Sequence, residues 1–151
     1  MSDHATSRFS GLLSVSTALR VIAAAGLAFD AKIHFKLAPG FDGIKSSTIS
    51  QGDLFRIEAA AAVIAAVAIL VFARPIAGLA AAAVAGGGLV PLLVYRYYDI
   101  GAIGPLPPMY EPVWYPDKTH TAWAQAIATV AALAFVVIAV RKARVHGRPT
   151  S

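Results

Sequence analysis

The sequence predicts an all-α protein: a single integral membrane domain over residues 1–151, built as a four-helix bundle with a Pro- and aromatic-rich outer loop between helices 3 and 4. Three observations carry this. Apolar residues make up 58% of the chain and charged residues 14%, whereas a soluble domain carries about 25% charged residues. Four apolar stretches reach the roughly 20 residues that a helix needs to cross a hydrocarbon core of about 30 Å. The breaks between them hold proline, glycine and capping residues. The absence of cysteine excludes a disulfide scaffold, thiolate metal sites and dithiol redox chemistry.

Helix 1 is expected over 10–38, ended by Pro39-Gly40. Its polar start, its internal Arg20 and the lack of a cleavage context argue against a removable signal peptide, so this helix is expected to stay. Helix 2 spans 51–73 and opens with Ser50 followed three residues later by Asp53, the pattern of a capping box. Helix 3 spans 75–98, with Pro75 where a first-turn proline loses no hydrogen bond. Helix 4 spans 118–144. Runs of alanine at 59–62 and 80–83, and Gly86-Gly87-Gly88 ahead of Pro91, predict close helix–helix approach.

Four spans place both termini on one side. Lysine and arginine divide seven to the terminal side and six to the loop side, but the densest cluster is Arg141-Lys142-Ala143-Arg144. By the positive-inside rule both termini are expected in the cytoplasm of a bacterial plasma membrane. Seven of the eight acids, all five tyrosines and both tryptophans then lie toward the outside. The cations flank apolar segments without forming a basic stripe, so the lipid bilayer rather than nucleic acid is the expected partner.

The distribution of charge inside the spans is the functional signal. Only nine residues separate Arg20 from Asp30, about 15 Å of helix, so both charges cannot escape a 30 Å core. Arginine snorkels and the short aspartate does not, which makes Asp30 the buried charge. His34 follows one turn later on the same face. Glu58 lies just inside the outer boundary of helix 2, His120 in the first turn of helix 4, and Asp99 closes helix 3. In one reading these groups neutralise neighbouring cations and fix the bundle's register. In the other, Asp30, His34, Glu58 and His120 line a pocket for a cation or ligand, with carboxylates and neutral imidazoles suited to a divalent metal. Haem between His34 and His120 is a remoter option.

The loop over 104–116 carries prolines at 105, 107, 108, 112 and 116, which predicts stiff extended chain rather than helix. Its aromatic residues suit a headgroup-level belt. Alternatively Tyr98, Met109, Trp114, Tyr115 and Trp123 form a recognition surface for a partner protein or for an amphipathic ligand such as a quinone or lipid, with Met109 a soft ligand for copper alongside His34 or His120. No nucleophile elbow, phosphate loop or HExxH motif occurs.

The run from Leu19-Arg20-Val21 through Gly26-Leu27-Ala28-Phe29 to Lys32-Ile33-His34-Phe35, continued by Leu54-Phe55-Arg56-Ile57-Glu58, resembles small four-span bacterial membrane proteins of the broad DoxX-like kind, over residues 17–73. The resemblance implies an accessory subunit of a membrane redox system. The loop over 104–116 departs from that pattern, and no catalytic residue is carried over. The expected function is a non-enzymatic accessory or assembly subunit whose outer pocket binds a cation, a lipid-like ligand, a membrane-protein partner or a second copy of the chain. A redox-enzyme subunit binding quinone or a metal in the same pocket is the alternative, and solute transport ranks third.

Overall fold

The computed structural model describes residues 3–146, and every regular element in it is helical. Helix α1 covers Asp3–Leu37, α2 Gln51–Val71, α3 Pro75–Tyr97 and α4 Pro116–His146, with a 3-10 turn at Ala38–Phe41 after α1. All four contain segments long and apolar enough to cross a membrane. They run alternately up and down, so the start of α1 and the end of α4 lie at one end of the bundle. Each packs on its two neighbours, with α1 against α4 and α2, and α3 against α4, more extensively than α2 against α3.

The helix ends follow local chemistry. Ser50 Oγ accepts from Asp53 N at 2.9 Å while Asp53 Oδ2 accepts from Ser50 N at 3.2 Å, a complete capping box. Phe72 ends α2, and Pro75 begins α3 within its first turn. Helix α1 begins at Asp3 rather than at residue 10, the other ends shift by at most two residues, and two prolines take roles other than those expected. Pro39 lies in the 3-10 turn, where it stands at the first or second position and loses no hydrogen bond. Pro116 belongs to α4 rather than to the extended loop, because a proline that interrupts a chain can also start a helix. Of the expected cytoplasmic cations, Arg148 lies outside the described residues.

Packing has the polarity expected in lipid. The buried core is chiefly alanine, including Ala23, Ala59, Ala62, Ala81, Ala85 and Ala128, with Leu27, Ile69 and Phe135 as the large members. Bulky side chains such as Ile64, Ile76 and Val130 face outward. Small residues allow close approach and dispersion contact where no hydrophobic force exists between helix and lipid. Gly26 is the tightest helix crossing of α1: a Cβ there would lie 2.9 Å from the Ala124 carbonyl oxygen and 3.0 Å from Ala128 Cβ.

Arg20 sits at the end of this packing opposite the 38–50 and 98–115 loops. Its Nε donates to Ile69 O at 2.7 Å and its Nη2 to Leu70 O, while the guanidinium stands 6.0 Å from the Phe135 ring. These are last-turn carbonyls of α2, without helical donors of their own. Arg20 therefore closes the C-terminus of α2 rather than serving only as a lipid anchor.

Candidate functional site: a polar layer beneath an apolar cavity

One turn above Gly26, Asp30 is fully buried. His34, on the same face, brings Nδ1 to 3.0 Å from Asp30 Oδ1 and 3.1 Å from the Asp30 backbone oxygen. The ring shares itself between them and leaves both carboxylate oxygens without an aligned hydrogen-bond donor. Phe55 of α2 holds the imidazole edge-on at 5.0 Å, and Phe41 braces Phe55 at 4.9 Å.

Helix α2 presents Gln51, Phe55 and Glu58 at i, i+4 and i+7, the spacing of a single face. Helix α4 contributes Thr121 and Gln125, also one turn apart. The Gly26 contacts with Ala124 and Ala128, and the Phe29–His120 ring contact at 6.4 Å, fix an antiparallel register that puts Asp30 level with this part of α4. Helix α3 supplies backbone only. At Gly88 an added Cβ would stand 2.7 Å from Glu58 Oε1 and would collide with Gln125 Nε2, so the absence of a side chain lets the two polar groups reach the same turn from opposite neighbours.

The layer is rich in unpartnered groups. Asp30 Oδ2, Gln51 Oε1, Glu58 Oε1, Thr121 Oγ1 and both amide atoms of Gln125 are buried without a hydrogen-bond partner in the chain, and Asp30 Oδ1 has only the poorly aligned His34 ring. Most buried polar atoms in proteins are paired, and each that is not costs about 1–3 kcal/mol. This concentration makes the layer the candidate functional site.

Above the layer lies a cavity of about 500 Å³ between α2, α3 and the loops at that end of the bundle. His34, Gln51, Glu58 and Thr121 form its polar end, and Leu54, Val90, Leu92, Val94, Ile103 and Leu106 give it apolar walls. Pro91 continues α3 beside it but has no N–H to return to the Gly87 carbonyl, and Gly87 is itself in the wall. At the mouth, Lys118 is buried and donates from Nζ to Glu111 O at 2.5 Å, with Glu111 Oε2 at 3.4 Å.

The segment between α3 and α4 forms the roof. Gly101 and Gly104 take left-handed conformations, φ +66° and +55°, and turn the chain across the mouth. Glu111 N donates to Tyr95 O at 3.0 Å, and Ser46 Oγ donates to Pro105 O at 2.7 Å, tying one outer loop to the other. Trp114 sits between Arg96 and Lys118, their cationic groups 5.5 and 5.9 Å from its ring. Tyr115 OH donates to Glu111 Oε2 at 3.3 Å, and burial, reinforced by that carboxylate, pushes the phenol above its ordinary ionisation range. Asp42, exposed and outside the spans, accepts from Arg56 of α2 at 2.7 and 2.9 Å, which holds its carboxyl below the usual range.

Of the residues expected at the site, Asp30, His34 and Glu58 share the layer, and Met109 and Tyr115 line the cavity. Others do not join them. His120 is exposed and packs on Phe29, Trp123 and Tyr98 project outward, and Asp99 Oδ1 accepts from Gly101 N at 3.2 Å in a turn. Trp114 belongs to the roof rather than to the cavity wall. Among the described residues no three His, Asp or Glu side chains gather as metal ligands. The four-residue set Asp30, His34, Glu58 and His120 is therefore not assembled, and His120 shares no pocket with His34 for haem or with Met109 for copper. The reason is helix rotation: His120 and Thr121 are neighbours about 100° apart, and it is Thr121 that faces inward.

Gln51, Thr121, Gln125, Gly88, Glu111 and Lys118 were not anticipated. Gln125 was the most discoverable, as the only Asn or Gln in the 118–144 span, since an amide inside a membrane helix usually finds a partner across an interface. No protein-family model, curated protein or solved structure matches the chain.

Proposed function

We propose that this protein is a multi-pass membrane protein of the binding class, an accessory component that holds an amphipathic, lipid-like ligand in the cavity at the outer end of its bundle. The observation that carries the reading is the pairing of apolar walls with a buried polar end whose hydrogen-bonding capacity the chain itself does not use. Ligand sites combine these features: apolar surface for affinity and a few placed polar groups for orientation. A cavity of about 500 Å³ suits one acyl chain or ring system with a small polar head.

The outer side is assigned from the cation-rich tail at the opposite end of the bundle and the aromatic residues around the mouth. The redox-subunit reading draws support from one feature, the buried Asp30–His34 pair beside the cavity, which suits proton exchange with a quinol.

The test is native mass spectrometry of the full chain released from lipid nanodiscs, with organic extraction of whatever it carries. The expected result is about one amphiphile per chain, lost in Val94→Trp, which fills the cavity from α3. An extracted species absorbing as a quinone would select the redox reading. An identical lipid complement in wild type and Val94→Trp would refute the binding function.

A further inference from the structure

The polar end of the cavity has a definite chemical sense. Of the unpartnered oxygens, Gln51 Oε1 and Glu58 Oε1 belong to residues that line the cavity, and Asp30 Oδ2 and Gln125 Oε1 lie in the layer behind it. Against them stand a single unpartnered amide donor, Gln125 Nε2, and the hydroxyl of Thr121, which both donates and accepts. Gln51 and Thr121 line the cavity, and both are more than nine-tenths buried. Pro91 adds to the imbalance by leaving the Gly87 carbonyl in the wall without its usual donor.

Charge points the same way. Two carboxyl groups, Asp30 and Glu58, face one imidazole, so the layer holds one more acidic group than basic. Of the two cations beside the roof, Lys118 is matched by Glu111, and Arg96, whose Nε is buried without a hydrogen-bond partner, lies against Trp114 outside the cavity lining. A head group that only accepts hydrogen bonds, or that is anionic, would meet like charge and unmatched oxygens. A metal ion would satisfy the charge but not the walls, and no ligand set for one is gathered.

We infer that the ligand is an amine: a protonated primary or secondary ammonium with several N–H donors, attached to an apolar chain or ring system that lies along α2 and α3. This deepens the amphiphile reading given above and rests on it. The ammonium engages Glu58 and Gln51 at the polar end, with Asp30 supplying the field behind them. The tail runs past Leu54, Val90 and Val94 toward the roof.

The full chain in detergent is dialysed to equilibrium against n-dodecylammonium, n-dodecyltrimethylammonium and n-dodecanol. The first two carry the same charge, but only dodecylammonium has N–H donors. Binding of dodecylammonium at about one per chain, about 10- to 100-fold tighter than the trimethyl compound, is expected from the loss of charge-assisted hydrogen bonds. Glu58→Gln keeps the shape, removes the charge and should abolish that preference, which also separates site binding from partition into micelles. Gln51→Leu serves as the second variant should Glu58→Gln fail to yield monodisperse protein.

Nanodiscs of phosphatidylcholine with and without phosphatidylethanolamine distinguish the source of the amine. Competition by the ethanolamine lipid identifies a headgroup, and equal binding in both identifies a free amine. Equal affinity for the ammonium and trimethylammonium compounds, or an unchanged preference in Glu58→Gln, overturns the inference. Tight dodecanol binding lost in Val94→Trp would overturn the amine while leaving the lipid-like ligand intact. No binding of any of the three that Val94→Trp removes would overturn both.

Discussion

Replacing Gly26 with alanine puts a methyl group where α1 crosses α4, and the geometry sets both the sign and the size of the effect. The new Cβ would lie 2.9 Å from the Ala124 carbonyl oxygen and 3.0 Å from Ala128 Cβ. One obstacle is backbone and the other is fixed rigidly to it, so neither can rotate away and the helices must separate by several tenths of an ångström. Overpacking of this kind costs about 1–3 kcal/mol. The gain in helix propensity from glycine to alanine returns about 0.5–1 kcal/mol, leaving a net loss of about 1–2 kcal/mol. Gly86→Ala is the matched control, because its Cβ would meet the Thr129 side chain at 3.7 Å, ordinary contact distance. It retains the propensity gain and should stabilise by about 0.5–1 kcal/mol. For a chain of this size the two variants should shift the unfolding midpoint in detergent in opposite directions, by about 2–8 °C down and about 1–4 °C up. Circular dichroism against temperature, repeated as titration with a denaturing detergent, measures both. Shifts of the same sign would refute the claim that Gly26 sets the α1–α4 distance.

Arg20→Met should cost about 1–3 kcal/mol, through loss of the charge-assisted bonds to the Ile69 and Leu70 carbonyls discounted for partial exposure, and hydrogen exchange should rise in the last turn of α2; protection equal to wild type there would count against the cap. The Asp42 carboxyl titrates below its ordinary value because Arg56 hydrogen-bonds it, so the ion pair is complete above the unfolded-state value and is lost as pH falls through the depressed one. Carboxyl-carbon NMR should show Arg56→Ala moving that titration upward, and an unmoved titration would contradict the pairing. Ser46→Ala removes the tie to Pro105 and should increase hydrogen exchange over residues 101–110 while leaving exchange in α2 below Leu54 unchanged; equal exchange in the loop would show that the tie does not hold the roof.

The fold was legible because lipid imposes a simple rule: a spanning segment must be long, apolar and helical. The same rule hid much of the site. In a helix that is apolar all round, periodicity does not reveal which face points inward, so the sequence puts His120 in the pocket although it faces out, and gives no signal for Thr121 and Gln125 on the turns that face in. Asp30 and His34 were readable because a carboxylate 15 Å along the helix from Arg20 has no route to water and four residues define one face. Glu58 was readable from the length of the apolar run behind it. Gly88 was read only as a close-packed or kinked segment, since its partners come from α2 and α4, 30 and 37 positions away. Pro116 misled for a different reason, being a residue type that both interrupts and starts helices.

A density map of the full chain in lipid nanodiscs, at a resolution that separates side chains, examines the cavity most directly. The polar layer and its apolar walls predict continuous elongated density along α2 and α3, with its head within hydrogen-bond distance of Glu58 and Gln51. A cavity closed by inward movement of α2 or α3, with Glu58 hydrogen-bonded to Gln125 and no density between the helices, would contradict it.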